Sequence, residues 1–239
     1  GRSVSNLSLE EVLVLARPSV PPGWESPFGF FVQATTHHSE VLTLEGVAAL
    51  AAYLQQRRLA LGGGAIVELG AQTGRLAWHL NRCGLLTAAI IPTDPRPLPT
   101  PSAPGGAFPV EQLAPAAALR KHRPCLALCA WCAAPHDAEV AALLREAAVD
   151  EYVMIGSLGV RSTREAGPEP ALQLEHEGYI RTVVTEVSRE LLHITDAKRD
   201  PRVPHGVGIC CAVSYRRYVA TQPDGGRRPT KPPLGGLCV

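Results

Sequence analysis

The feature that most constrains the fold of this 239-residue chain is a strand-like run that ends in a glycine-containing turn. Residues 65–69 (AIVEL) are apolar apart from Glu68, and the segment that follows (GAQTGRL) contains Gly70 and Gly74. Glycine permits positive φ and a close backbone approach to a ligand, and the first turn of a helix leaves N–H groups without intrahelical partners. The pattern therefore predicts a buried strand, a tight turn and a helix whose N-terminus faces a nucleotide-like ligand.

The order of elements along the chain predicts an α/β fold. Strand-like runs recur at 86–93, 125–132 and 152–157, and helical patterns separate them. Such alternation is typical of a parallel sheet with helices on both faces. After residue 179 the pattern changes to strands alone, the last of them at 208–216, which predicts a closing antiparallel hairpin.

The glycine turn resembles the first motif of class I S-adenosylmethionine-dependent methyltransferases, an acid and any residue followed by Gly-x-Gly-x-Gly after the first strand. Glu68, Gly70 and Gly74 match this motif, whereas Gln72 stands where the family usually has its middle glycine. The resemblance implies a seven-stranded, mostly parallel, Rossmann-like methyltransferase sheet with helices on both faces and a C-terminal antiparallel hairpin. It also implies S-adenosylmethionine as the cofactor, and the side chain of Gln72 is expected to crowd the methionine part of that ligand.

The resemblance places further cofactor contacts at the ends of two later strands. Asp94 follows the run at 86–93, where the family has an acid that binds the ribose hydroxyls. Trp131 lies near the end of the run at 125–132, beside the expected cofactor. The expected cofactor-binding residues are Glu68, Gly70, Gln72, Gly74, Asp94 and Trp131.

No residue stands out as the catalytic group. The Asn/Asp-Pro-Pro-aromatic signature of many amino-group methylators is absent after the fourth strand, where Cys132 and His136 are the candidates for a nucleophile or base. His37, in a polar loop before the first long helix, is a third candidate. Each also has an ordinary explanation, because strand cysteines commonly pack in cores and histidines are common in polar loops. The methyl acceptor is not predicted.

Three cysteines at positions 125, 129 and 132 have the C-x3-C-x2-C spacing by which radical S-adenosylmethionine enzymes hold an iron–sulfur cluster. In a strand, however, the first two point to one face and the third to the other, so we interpret them as core residues. A zinc site would need a fourth ligand from a distant segment. We therefore expect no metal, and the irregular spacing of all seven cysteines favours free thiols in a reducing compartment.

Composition excludes several classes of partner. The formal net charge is +1, which gives no electrostatic case for nucleic acid as a general partner. No apolar run approaches the roughly 18 to 20 residues of a membrane helix. We expect a soluble protein of the cytoplasm, or of a mitochondrion or plastid after removal of a targeting peptide.

The sequence predicts three regions. Residues 1–40 form a helix and a Pro/aromatic-rich extension, residues 41–218 a methyltransferase-like domain, and residues 219–239 a Pro/Gly/Arg-rich tail. The tail and the proline-rich loop at 95–106 have little to bury on their own, so both are expected to contact protein partners.

Two classes of function remain open. The chain is either a methyltransferase with an unknown acceptor, favoured by Glu68 and Asp94, or a catalytically silent accessory subunit of a large, for example organellar, complex. Gln72 and the missing acceptor signature favour the second class. A nicotinamide-dependent reductase is less favoured, because Gly70 and Gly74 do not fit Gly-x-Gly-x-x-Gly.

Overall fold

In the computed structural model, the described residues are 40–97, 109–130, 143–157, 174, 178–193 and 210–218. Their helices are α1 (Leu44–Ala60), α2 (Arg75–Arg82), α3 (Pro115–His122) and α4 (Thr185–Ser188). Their strands are β1 (Glu40–Val41), β2 (Ile66–Leu69), β3 (Ile90–Asp94), β4 (Glu111–Gln112), β5 (Leu126–Ala130), β6 (Glu151–Ser157), β7 (Tyr179–Val183), β8 (Leu192–His193) and β9 (Cys210–Arg217).

Seven strands form one sheet in the order β4-β3-β2-β5-β6-β9-β7. The first five pair in parallel, whereas β9 is antiparallel to both of its neighbours, β6 and β7. β1 and β8 form a separate two-stranded antiparallel sheet. The predicted fold class is therefore confirmed: the sheet is mostly parallel, and β7 and β9 form the closing antiparallel pair.

Helices cover both faces of the sheet because successive strand residues point to opposite sides. Ile66 packs on one side with Leu50 of α1 and Leu80 of α2. Its neighbour Val67 packs on the other side with Leu119 of α3. All five side chains are at most 1% exposed, and full burial of an aliphatic side chain contributes roughly 1.5–3 kcal/mol.

The structure corrects three of the predicted element boundaries. β3 begins at Ile90 instead of residue 86, because Gly84 takes positive φ after α2 and Leu85 is exposed. The sequence predicts a strand at either 180–187 or 190–194, but residues 185–187 lie in α4, where the hydroxyl of Ser188 donates to the carbonyl of Val184 at 2.7 Å. β5 begins at Leu126 instead of residue 125, and residues 131–132 of the predicted run lie outside the described residues.

A buried carboxylate joins α1 to the amino-terminal edge of the sheet. Glu151, the first residue of β6, is 0% exposed, and its Oε1 accepts hydrogen bonds of 2.6 Å from the hydroxyls of Tyr53 and Ser214. Arg57, in the last turn of α1, donates from Nε to Oε2 of the same carboxylate. Arg216 of β9 lies 3.6 Å away through its own Nε. These five residues are called the Glu151 network below.

Among the described elements, no helix is both long and apolar enough to cross a membrane. The described elements run from 40 to 217, so residues 1–39 and the tail at 219–239 lie outside them. The division into three regions therefore stays a prediction. So do the partner contacts expected of the tail and of the loop at 95–106. Most of that loop, from residue 98 onward, also lies outside the described residues.

Candidate cofactor-binding site

The turn between β2 and α2 contains three residues with positive φ. Gly70 has φ 69°, Gln72 has φ 50° and Gly74 has φ 73°. The N–H of Gly74 donates to the carbonyl of Ala71 at 2.7 Å, and the carbonyl of Gly74 accepts from Trp78 at 3.0 Å as α2 begins. The two glycines therefore stand where the backbone needs them, whereas Gln72 occupies a region that costs a residue with a Cβ about 1–2 kcal/mol.

The end of β3 is hydrogen-bonded to this turn. The carbonyl of Thr93 accepts from the N–H of Ala71 at 2.9 Å, and the Thr93 hydroxyl donates to the carbonyl of Glu68 at 2.8 Å. Asp94 is 8% exposed, and its Oδ2 accepts from the N–H of Gln72 at 2.9 Å. Its Oδ1 accepts from the N–H of Arg96 at 2.7 Å. Each oxygen of Asp94 thus accepts from one backbone donor.

A cleft opens beside the turn, at the carboxyl ends of β2 and β5, with an empty volume of about 320 Å³ that includes open solvent. After β2 the chain builds β3 and β4 on one side and then returns to build β5 on the other. Ligands of open α/β sheets bind at such a switch point. The described lining residues are Glu68, Gly70, Ala71, Gln72, Thr73, Arg75, Leu76 and Ala130.

The charged groups of the described lining come from two elements. Glu68, in β2, supplies a carboxylate and is 3% exposed. Arg75 is a cation and is the first residue of α2, the positive end of the helix dipole. A negative ligand group near the helix N-terminus and an amine or hydroxyl near Glu68 would both find complementary partners.

The structure brings together part of the expected cofactor set. Glu68, Gly70 and Gln72 line the cleft, Gly74 caps α2, and Asp94 contacts the turn through Gln72. Five further residues line the cleft and were not expected: Ala71, Thr73, Arg75, Leu76 and Ala130. The first four occupy the turn and the start of α2, so the motif itself could have identified them.

The remaining expected residues lie outside the described part of the chain. Trp131 directly follows Ala130 of the cleft lining in sequence. The catalytic candidates Cys132, His136 and His37 are not placed by the structure. The roles expected of these four residues stay predictions.

The cysteines of the β5 segment differ from expectation in two ways. Cys125 precedes β5 and packs against the core cluster that contains Ile66, whereas Cys129 belongs to the cluster on the opposite face. The two therefore do not share a face, because the strand alternation begins only at Leu126. Cys125 is a free thiol but Cys129 is disulfide-bonded, so the expectation of free thiols is wrong at Cys129. Within the described ranges, no three His, Cys, Asp or Glu residues are grouped to hold a metal ion.

No family model and no curated protein matches the chain. Among solved structures, the magnesium protoporphyrin IX methyltransferase of Synechocystis PCC 6803 with bound SAM is 10% identical, with a TM-score of 0.46 over 87% of this chain and 91% of that one. The same enzyme with SAH gives 9% identity and a TM-score of 0.42 over 87% and 94%. A structure of EvdMO1 is 16% identical, with a TM-score of 0.36 over 70% and 41%.

These identities and TM-scores are low, and the fold class follows instead from the strand order of this chain itself. Rossmann-like folds in general have a central first strand, here β2, with the next strands on one side and the later strands on the other. The antiparallel β9 between β6 and β7 is the closing feature that distinguishes the methyltransferase sheet from the nicotinamide-binding one. The chain therefore has a Rossmann-like α/β fold, with the closing antiparallel pair that the resemblance to class I methyltransferases implies.

Proposed function

We propose that this chain binds S-adenosylmethionine in the cleft at the carboxyl ends of β2 and β5 and transfers its methyl group to an acceptor. The observation that carries the proposal is the position of the cleft. It lies at the switch point of the sheet, between a buried carboxylate and the first residue of a helix. Both features suit a ligand with an amine, hydroxyls and a carboxylate.

In this proposal the described residues bind and orient the cofactor. The backbone at Gly70 and Gly74 allows close approach, Glu68 accepts from the ligand amine or hydroxyls, and the N-terminus of α2 faces its carboxylate. Trp131, the residue after Ala130, is proposed as a further contact. Methyl transfer then needs the acceptor held in line with the sulfonium methyl, so orientation supplies most of the rate. Cys132, His136 and His37 stay the candidates for an acceptor base.

A second candidate function is that of a methyltransferase-like accessory subunit without turnover. The observation that favours it is Gln72, which lines the cleft where the resembling family has a glycine. A side chain there reduces the space for the methionine part of the cofactor. In that case the proline-rich loop at 95–106 and the tail at 219–239 are the surfaces proposed to contact protein partners.

Calorimetric titration with S-adenosylhomocysteine distinguishes the two functions. The wild-type chain is expected to bind in the micromolar range, and Glu68→Ala is expected to bind at least tenfold more weakly. Glu146→Ala is the control, because the Glu146 side chain is 65% exposed and does not belong to the described cleft lining. Circular dichroism establishes that each variant is folded.

Two results contradict the methyltransferase proposal. One is the absence of heat and of thermal stabilisation at millimolar S-adenosylhomocysteine, which supports the accessory-subunit function. The other is equal binding by wild type and Glu68→Ala, which places any ligand outside the cleft. If Gln72→Gly binds where the wild type does not, Gln72 is the group that closes the site.

A further inference from the structure

The contact between Asp94 and the glycine turn differs from what the sequence predicts for this residue. A carboxylate that binds ribose hydroxyls needs accessible oxygens, and Asp94 is only 8% exposed. Its two oxygens already accept from the N–H groups of Gln72 and Arg96, at 2.9 and 2.7 Å. Both distances are typical of bonds to an ionised acceptor. The carboxylate is therefore held between two backbone N–H groups.

The residue that Asp94 holds is the one with the least favourable backbone in the turn. Gln72 has φ 50°, a conformation that residues with a Cβ rarely adopt. Its two flanking positive-φ residues, Gly70 and Gly74, take this region without steric cost. A conformation of this kind persists only where surrounding contacts enforce it. The Oδ2 atom of Asp94 is the acceptor for the N–H of Gln72.

The bond also continues the pairing of two strands. Leu69 pairs with Thr93 in the parallel ladder, and the N–H of Ala71 donates to the carbonyl of Thr93 at 2.9 Å. The next N–H, that of Gln72, is bonded to the side chain of the next residue, Asp94. The carboxylate thus extends the contact between β2 and β3 into the turn that lines the cleft.

We propose that Asp94 is a positioning residue, which holds Gln72 in the left-handed conformation and so shapes the cofactor-binding turn. It does this through Oδ2, in place of the ribose contact that the resemblance implies. The proposal rests on the proposed function for its consequence on ligand affinity. Its structural part, the hold on Gln72, is independent of any ligand.

The first test needs no ligand. Hydrogen exchange of the Gln72 amide is measured by NMR in the wild type, Asp94→Ala and the control Glu146→Ala. Loss of a hydrogen bond to a charged acceptor is expected to speed exchange in Asp94→Ala roughly tenfold or more, with no change in the control. Asp94→Asn keeps one acceptor oxygen and should give an intermediate rate, which also tests the proposal if Asp94→Ala does not fold. Unchanged exchange in both variants overturns it.

The second test measures affinity for two ligands, S-adenosylhomocysteine and its 2′,3′-dideoxy analogue. If Asp94 positions the turn, Asp94→Ala weakens both ligands by the same factor, roughly tenfold. The same change is then made in Gln72→Gly, which also removes the side chain from the cleft: Asp94→Ala should cost Gln72→Gly much less than tenfold, because glycine takes positive φ without help. If Asp94 stabilised the fold without holding Gln72, Asp94→Ala would weaken binding equally whether residue 72 is glutamine or glycine.

A ribose contact gives the opposite pattern. Asp94→Ala then weakens only the ligand with ribose hydroxyls, and by the same factor in Gln72→Gly; this pattern overturns the proposal. If the wild type binds neither ligand, the proposed function fails, while the exchange rates still decide whether Asp94 holds Gln72. The two failures are therefore distinguishable.

Discussion

Removal of the Glu151 carboxylate is expected to be the most destabilising single change outside the apolar core. Glu151 is 0% exposed and receives three donors, from Tyr53, Ser214 and Arg57. In Glu151→Ala the hydroxyls lose their acceptor, and Arg57, whose side chain is only 21% exposed, loses its counter-charge. Loss of one member of a buried ion pair costs about 3–5 kcal/mol.

The expected loss in the free energy of unfolding is therefore about 4 kcal/mol for Glu151→Ala. For a domain of this size, that corresponds to a fall in Tm of about 8–16 °C. Glu151→Gln keeps an acceptor oxygen for the two hydroxyls but removes the charge facing Arg57. Its expected cost is smaller, about 2 kcal/mol.

Urea denaturation followed by circular dichroism measures these differences, with Glu146→Ala as the matched control. Glu146 is 65% exposed and lies 4.0 Å from Arg120, so its removal should change stability by no more than about 0.5 kcal/mol. A loss below about 1 kcal/mol for Glu151→Ala would refute the reasoning. A double-mutant cycle of Tyr53→Phe with Glu151→Ala, each of which removes the hydrogen bond, should show coupling of about 0.5–3 kcal/mol; additive losses would show that the 2.6 Å bond contributes nothing specific.

Three further predictions concern single residues. Gln72→Gly relieves a positive φ and should raise the free energy of unfolding by about 0.5–1 kcal/mol in urea denaturation. A free energy of unfolding below that of the wild type contradicts the strain argument. Gly46→Ala places a Cβ 2.8 Å from the Glu190 carbonyl oxygen, so we expect a loss of about 1–3 kcal/mol where helix propensity alone predicts a gain. Burial, followed by the charges of Arg75 and Arg82, lowers the pKa of His79 to about 4 from 6.5. Because only the unfolded chain takes up this proton, stability should fall between pH 6.5 and 4, by roughly 1–2 kcal/mol after allowance for solvent screening; a pH slope that persists in His79→Gln would contradict the assignment.

The sequence predicts those features of the site that depend on local chemistry. The glycines at 70 and 74 are where the chain needs positive φ, and the apolar run before them forms β2. The cap at Thr43 is also local, since its hydroxyl accepts from the N–H of Gly46 three residues later. The parallel order follows from the alternation of strands and helices between residues 65 and 157. The first two kinds of feature depend on a few neighbouring residues, and the third on the order of elements along the chain.

Other features depend on contacts between distant segments, and no local pattern encodes them. Tyr53 and Glu151 are 98 positions apart, and only the folded sheet makes them partners. Asp94 was expected to face a ligand, but the fold places it within 2.9 Å of the backbone at Gln72, 22 positions earlier. The positive φ of Gln72 was likewise unforeseen, because residue type alone favours it only for glycine, asparagine or aspartate.

The strand register separates the Glu151 network from the cleft and predicts that the two are independent. Glu151 pairs with Leu126, and Leu126 pairs with Ile66, so Glu151 is level with the first residue of β2. Leu69 at the other end of β2 lies about 10 Å further along, at roughly 3.3 Å per residue, and Gln72 lies beyond it. Changes separated by more than about 7–10 Å usually act additively. Glu151→Gln should therefore lower the free energy of unfolding while affinity for S-adenosylhomocysteine stays within about twofold of wild type. A tenfold loss of affinity in the folded variant would instead show that the two edges of the sheet are coupled.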